Sequence, residues 1–314
     1  MRVTVFTPTY NRAHTLGRAY LSLRRQSFTD FEWLIIDDGS TDNTAESIAA
    51  WKGEDNFFPI RYYRKPNGGK HTAHNQGVSL AQGEYFAILD SDDWYDLDAL
   101  KILVTAWESM SQDEKSAFSN VEALCRLPDG RTVGQPFPED VYDSDNLAVQ
   151  EIRKGLTDTM GMYRLAVLRE FPFPEVFQGS YVPEALVWNR IADRYRTRFL
   201  NATVGYKEYL QEGITRRSLR AAFAQSEPAV IYNREMSARK RISVALRLKS
   251  RANVYRYSYH NKMSILEQLR QERGVPLAIP FVVVGYLVHL KDRMAISITE
   301  WRQTDRSPKT IEAR

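Results

Sequence analysis

The first hundred residues alternate short apolar runs with stretches of helical spacing, and this alternation leaves few folds open. Residues 2 to 8 read as a buried strand, followed by a polar turn and a helix from about His14 to Gln26 with Leu16, Ala19, Tyr20 and Leu23 on one face. The order then repeats with strands at Phe31 to Ile36, Ile60 to Tyr63 and Glu84 to Leu89, and helices at Thr41 to Trp51 and Thr72 to Ala81. A strand-and-helix pitch of this kind predicts an α/β fold with a mostly parallel central sheet flanked by helices. Such sheets bind ligands beyond the carboxyl ends of their strands. The polar segments Thr7 to Arg12, Asp37 to Asp42, Asn67 to His71 and Asp90 to Trp94 are therefore expected to share one rim.

Past residue 100 the pattern loosens. Ser116 to Leu127, a Pro-Asp-Gly turn at 128 to 130 and Arg131 to Val133 suggest a hairpin, Ala185 to Tyr195 a helix, and Arg198 to Val204 a strand. From about Ser218 the sequence reads as helical and basic. Residues 1 to 213 hold 23 Lys or Arg against 31 Asp or Glu, whereas residues 214 to 314 hold 20 against 8. Two parts with such different charge are expected to meet different surroundings: a domain over 1–217, with halves to 110 and from 111, then a basic C-terminal helical extension over 218–314. Residues 274 to 290 are apolar but interrupted by Pro276, Pro280 and Gly285, and their length is marginal for a membrane span. Basic charge around them suggests docking on an anionic membrane face, with a helical cap or a homo-oligomer surface as the competing readings. Cys125 is the single cysteine, which excludes an internal disulfide, and the opening MRVTVFTP lacks the pattern of a signal peptide. The expected setting is cytoplasmic, with peripheral attachment to the inner membrane face.

Asp90, Asp92 and Asp93 crowd carboxylates directly after an apolar strand, where mutual repulsion calls for a cation or a hydrogen-bond network. Mg²⁺ or Mn²⁺ held by one or two carboxylates plus substrate phosphate oxygens would supply it, and a solvated turn with helix-capping aspartates is the plain alternative. Asp37 or Asp38 could accept from a base imide or a ribose hydroxyl, while Asp42 suits a helix N-cap. Tyr10 offers a ring face to a base or ordinary loop packing. Gly68 and Gly69, with Lys70 and His71, could present amides and a cation to a diphosphate. Neither a Walker loop nor a dinucleotide fingerprint is present, and nothing points to nucleic acid.

Pro8-Thr-Tyr-Asn-Arg12, Asp37-Asp-Gly-Ser-Thr-Asp-Asn-Thr44 and Ala87-Ile-Leu-Asp-Ser-Asp-Asp-Trp94 together resemble the family 2 glycosyltransferases of the GT-A fold. The resemblance is strong to about residue 110, fainter through Gly161, Glu184 and the stretch from Tyr209 to Thr215, and absent from the last hundred residues. It implies an inverting transfer of a sugar from a nucleotide diphosphate, UDP first among them, to a glycan or lipid-linked acceptor in cell-surface polysaccharide or glycan synthesis. By position it implies nucleotide contacts from Pro8, Thr9, Tyr10, Arg12, Asp37, Asp38, Lys70, Asn75, Asp90 and Ser91, and an Mn²⁺ or Mg²⁺ held by Asp92 and Asp90. Lys70 stands in for the family's phosphate-contacting arginine. Glu184 matches the family's general base, although the acidic partner usual beside it is missing, and a favourable place at a helix start would equally explain it. Gly213 with Thr215 resembles a loop that closes on the donor. A nucleotidyltransferase and a non-catalytic nucleotide-binding module are the competing functions; the first normally carries a Gly-rich basic loop after strand one, where this chain has Pro8 to Arg12.

Overall fold

The structure, a computed structural model, describes residues 1–152, 158–177, 181–209, 226–270 and 275–304. Internal contacts divide the chain into two units, Met1–Gly213 and Ile214–Arg314.

In the first unit the chain runs β1 (Val3–Thr9), α1 (Ala13–Leu23), β2 (Phe31–Asp37), α2 (Thr44–Lys52), β3 (Ile60–Arg64), α3 (Lys70–Leu80) and β4 (Tyr85–Ile88). It continues with β5 (Trp94–Tyr95), α4 (Ala99–Glu108), α5 (Gln112–Ala117), β6 (Phe118–Arg126), β7 (Val141–Ser144), α6 (Asn146–Ile152), β8 (Thr159–Arg164), α7 (Leu165–Glu170), α8 (Ala185–Ala192) and β9 (Arg196–Tyr206). The sheet order is β3-β2-β1-β4-β8-β6-β9-β5, with β7 on β9. β1 lies between β2, where Thr9 faces Asp37, and β4, where Phe6 faces Ile88. The chain therefore winds outward from β1 to β3 and returns through α3 to the other side of β1. That reversal opens a crevice past the carboxyl ends of β1 and β4.

The expected parallel pairing holds through β3-β2-β1-β4 and gives way beyond it, because β8 runs against both β4 and β6. The expected hairpin after β6 closes at Gly130 with φ +85°, but its second arm reduces to a bridge between Arg126 and Thr132.

Every residue of β1 and β2 is buried, as expected of strands covered on both faces. On one face Val3, Val5, Trp33 and Ile35 join Leu16 and Leu23 of α1, and Tyr20 stacks on Trp51 at 4.8 Å. On the other, Phe6 stacks on Phe86 at 5.0 Å beneath α3. His74 of α3 meets Phe6, Phe86, Phe173 and Trp188 edge-on, and among the described residues neither ring nitrogen has a hydrogen-bond partner. Burial, assisted by Lys70, pushes its pKa down to about 3, so the ring is neutral packing. At the far end of the strands, fully buried Glu32 accepts from Thr4, Arg61 and the Gln82 amide, joining β1, β2 and β3 to the segment after α3.

The second unit contains α9 (Glu227–Ala238), α10 (Val244–His260), α11 (Ile265–Arg270) and α12 (Val275–Thr304). Tyr255 of α10 packs on Ala278 and Val282 of α12, and Gly285 lets the two helices approach: a Cβ there would lie 2.7 Å from that of Tyr255. Arg256 makes a two-pronged ion pair with Asp292 at 2.6 and 2.8 Å. α12 continues through Pro280, and among the described residues no helix is long and apolar enough to cross a membrane.

The close passage of α3 over β1 is testable at two glycines. A Cβ on Gly77 would sit 2.4 Å from the Phe6 ring, whereas one on Gly17 of α1 meets its nearest neighbour at 3.8 Å. Gly77→Ala should lower stability by about 1–3 kcal/mol through overpacking, while Gly17→Ala should leave it unchanged or raise it by up to ~1 kcal/mol through helix propensity. Denaturant midpoints of the two variants check this, and equal shifts would contradict the packing described.

Candidate active site

The first two strand-end loops are stitched together. Asn11, in the left-handed region at φ 53°, donates its amide to the Ser40 hydroxyl at 2.8 Å and accepts from the Thr41 amide at 2.7 Å. Asp42 accepts from the amides of Ala13 and Thr44, so it ties the starts of α1 and α2 rather than capping only the second. Asp37 accepts from the Ser40 amide and the Tyr62 hydroxyl, both at 2.7 Å. Asp38 accepts from Lys65 at 2.6 Å and from the amides of Gly68 and Gly69 at 3.0 and 2.8 Å. Here the structure corrects one expectation: those two glycine amides are not free to cradle a diphosphate, because the Asp38 carboxylate already holds them. Gly39 at φ +90° and Gly69 at φ +96° supply the turns that make this possible.

Around this frame the other residues singled out in the sequence take different positions. Pro8 and Thr9 end β1, and among the described residues the buried Thr9 hydroxyl has no hydrogen-bond partner. Tyr10 is 48 % exposed, a ring face open to the rim. Ser91 is buried in the turn after β4. The carboxamide of Asn75, expected at the nucleotide, bonds here to Phe173 and Glu175 and so fastens α3 to the segment after α7. Gly213 and Thr215 lie outside the described residues.

Three of the expected residues meet through one side chain. Lys70, the first residue of α3, places its ammonium 2.7 Å from Asp90 and 2.7 Å from Glu184. Burial alone would lower the lysine pKa, but the two carboxylates override it and hold it above the ordinary value. Burial likewise works to raise Asp90, and Lys70 with Lys207 outweighs it, so Asp90 stays ionised below the usual range. Glu184 stands at the N-cap position of α8 without capping it by its side chain. Asp92 is raised by burial and by the neighbouring Asp90 charge, with Arg12 acting in the opposite sense. Asp93, buried with Lys207 3.6 Å away, is pushed up to about 7 by burial.

These residues fit a divalent cation only in part-built form. Among the described residues no group of three His, Cys, Asp or Glu could hold a metal by itself. Asp92, crowded by Asp90 and reached by no ion pair among the described residues, is the carboxylate a cation would relieve, with Asp90 beside it and substrate oxygens completing the shell.

Lys70, Asp90, Asp93 and Glu184 line a cavity of about 360 Å³ whose deeper wall comes from β6, β8 and β9. That wall carries Asn120, Glu122, Asp158, Tyr163 and Lys207, none of them singled out in the sequence. The signal was present in β6: Asn120 and Glu122, two apart in a buried strand, share one face while Val121 and Ala123 face the core.

Residues 4–118 match the profile described as Glycosyl transferase family 2. The chain is 42% identical over 100 residues to a chondroitin synthase of Pasteurella multocida, covering 32% of this chain and 10% of that protein. It is 24% identical over 221 residues to a GalNAc(5)-diNAcBac-PP-undecaprenol beta-1,3-glucosyltransferase of Campylobacter jejuni, covering 68% and 67% of the two. The chain thus spans about a tenth of the length of the Pasteurella chondroitin and hyaluronan synthases it matches. In fold it is similar to S. aureus TarS 1-349 in complex with UDP-GlcNAc, with TM-score 0.60 and 20% identity over 94% of this chain and 92% of that one. It is also similar to the mannosyltransferase PcManGT of Pyrobaculum calidifontis in complex with GDP-Man and Mn2+, with TM-score 0.55 and 16% identity over 93% and 87%. The matched residues are those that wind from β1 to the start of β6 and supply all four polar loops, so this part of the chain carries the glycosyltransferase family 2 profile on a fold of the GT-A type.

Proposed function

We propose that the chain is an inverting, metal-dependent glycosyltransferase that moves a sugar from a UDP-sugar to an acceptor hydroxyl in glycan or cell-surface polysaccharide synthesis. The observation that carries this reading is Lys70, whose ammonium links the carboxylate at the end of β4 to the one at the start of α8. A donor bound over Asp90 would put its diphosphate beside Lys70 and its sugar carbon toward Glu184. Glu184 then takes the proton of the acceptor hydroxyl, the acceptor oxygen bonds to the anomeric carbon, and the bond to the phosphate oxygen breaks on the opposite face, inverting the centre. Lys70 stabilises the charge that develops on the departing diphosphate. A Mg²⁺ or Mn²⁺ held by Asp92 and Asp90 would supply Lewis-acid neutralisation of the same oxygens. The exposed ring of Tyr10 and the partnerless Thr9 hydroxyl suit the base and its ribose, while Asp37 and Asp38 act by holding the loops in shape.

The second unit supports a peripheral membrane role, reached through the same donor chemistry on a lipid-linked acceptor. Ile279, Val283, Val284 and Leu287 of α12 are about half exposed, within a segment rich in Lys and Arg. The Campylobacter relative is named for a polyprenol-linked glycan.

Lys70→Met should lower turnover by about 10²–10³-fold, the usual cost of removing one group that stabilises developing charge. Glu184→Gln should lower turnover by about 10²–10⁴-fold while leaving UDP binding intact. Product assays with UDP-sugars, Mn²⁺ and calorimetric UDP titration check both, and a Glu184→Gln enzyme with full turnover would remove Glu184 from the mechanism. A thermal-shift screen of UDP-, GDP- and dTDP-sugars should show its largest stabilisation with a UDP-sugar plus Mn²⁺. Release of pyrophosphate from a nucleoside triphosphate would instead favour a nucleotidyltransferase. In flotation with anionic vesicles the whole chain should rise and a chain ending near Ser218 should stay below; equal behaviour, or a dimer in its place, argues against docking.

A further inference from the structure

The deeper wall of the cavity holds a carboxyl group that neither the metal-binding turn nor the proposed base requires. Glu122 is only 8 % exposed, and among the described residues no Lys or Arg stands within ion-pair distance of it. Its setting is built around it. Asn120 donates its side-chain amide to Glu122 at 2.8 Å, and the orientation of that amide is fixed because its oxygen accepts from the hydroxyls of Ser119 at 2.6 Å and Thr197 at 2.8 Å. The hydroxyls of Thr159 and Tyr163 on β8 also reach Glu122. Directly across the β6–β8 pairing stands Gly161, where a Cβ would fall 2.4 Å from the carboxyl group. Glycine is therefore what makes room for the carboxyl at that point.

A carboxylate kept from water costs free energy unless its acceptor sites are filled. It offers about four such sites; Asn120 fills one, and the hydroxyls of Thr159 and Tyr163 face the carboxyl from β8. The wall shares its cavity with Asp90 and Lys70, where the donor's diphosphate would lie, and with Glu184. We propose that Glu122, oriented by Asn120, Thr159 and Tyr163, accepts a hydrogen bond from a ring hydroxyl of the sugar being transferred and so selects which sugar the enzyme takes from the donor. This rests on the glycosyltransferase reading above and assigns the sugar-discriminating group within it. The ligand chemistry is a neutral pyranose with a free hydroxyl on the side away from the diphosphate. A site built to accept from a hydroxyl rejects an analogue that lacks or misplaces it far more strongly than an apolar pocket could, because the buried acceptor is left unpaired. Asp90 and Glu184 have other roles in the reading above, at the diphosphate and at the acceptor hydroxyl, and both also face the Lys70 ammonium.

The test compares full-length wild type, Glu122→Gln and Tyr163→Phe by calorimetric titration with UDP, UDP-glucose, UDP-galactose and UDP-N-acetylglucosamine in Mn²⁺, without acceptor. Wild type should prefer one UDP-sugar over the others by at least ~10-fold. Glu122→Gln should bind UDP within ~2-fold of wild type yet bring the three UDP-sugars to within ~3-fold of each other. Tyr163→Phe keeps the carboxyl and loses one of its donors, so it should shift the ranking in the same direction by a smaller factor and serves if Glu122→Gln does not fold. An unchanged ranking in the folded variants overturns the proposal, as does an equal loss of affinity for UDP and all three UDP-sugars. Failure of wild type to bind UDP or any of the UDP-sugars would overturn the glycosyltransferase reading itself, a result distinguishable from failure of the Glu122 assignment alone.

Discussion

A lysine ammonium held between two carboxylates is the interaction around which the cavity is organised. Asp90 comes from the end of a strand in the family-matched segment, Glu184 from the start of α8 well beyond it, and Lys70 from the first turn of the helix that carries the chain back across the sheet. Without the lysine, two carboxylates would share a partly buried space and repel, and one would have to take up a proton. With it, Asp90 stays ionised and the two carboxylates stand near each other, which is what a site needs if one is to face a diphosphate and the other an acceptor hydroxyl.

The position of Lys70 in turn depends on features that make no contact with any ligand. Gly69 takes a positive φ so that α3 can begin there, and Asp38 fixes the approach by accepting from the amides of Gly68 and Gly69 and from Lys65. Asn75, one turn further, fastens the same helix to the segment before α8, so the helix bearing Lys70 and the helix bearing Glu184 are held by a common bracket. His74 fills the space between with a neutral ring. Residues that resemble ligand contacts when read by position thus also set the geometry of the neighbours that face the cavity. A carboxylate committed to backbone amides gives a loop one shape, and that shape decides where the next helix starts.

The two units follow different physical logic. The first buries whole strands on both faces and keeps its charged groups for the rim and the cavity. The second is made of helices whose packing depends on a few close approaches, Gly285 against Tyr255 and Arg256 against Asp292, and it leaves a run of aliphatic side chains on α12 open. The change of net charge along the sequence falls near the boundary between them.

Much of the first half was legible from the residues alone. Alternation of apolar runs with helical spacing places four strands and three helices in order, because a buried strand and an amphipathic helix each impose a period on the chain. The four polar loops follow from the ends of those strands, and the resemblance carried by their motifs names the family. The sequence could not say that Asp37, Asp38 and Asn75 are committed to hydrogen bonds within the protein, since their partners lie in loops that meet only in three dimensions. Nor could it pair Lys70 with Glu184, or set Glu122 opposite Gly161, because those contacts join strands and helices that are distant along the chain. Local periodicity is written residue by residue and so can be read directly; the electrostatics of the cavity depend on distances that exist only once β8 has been laid between β4 and β6.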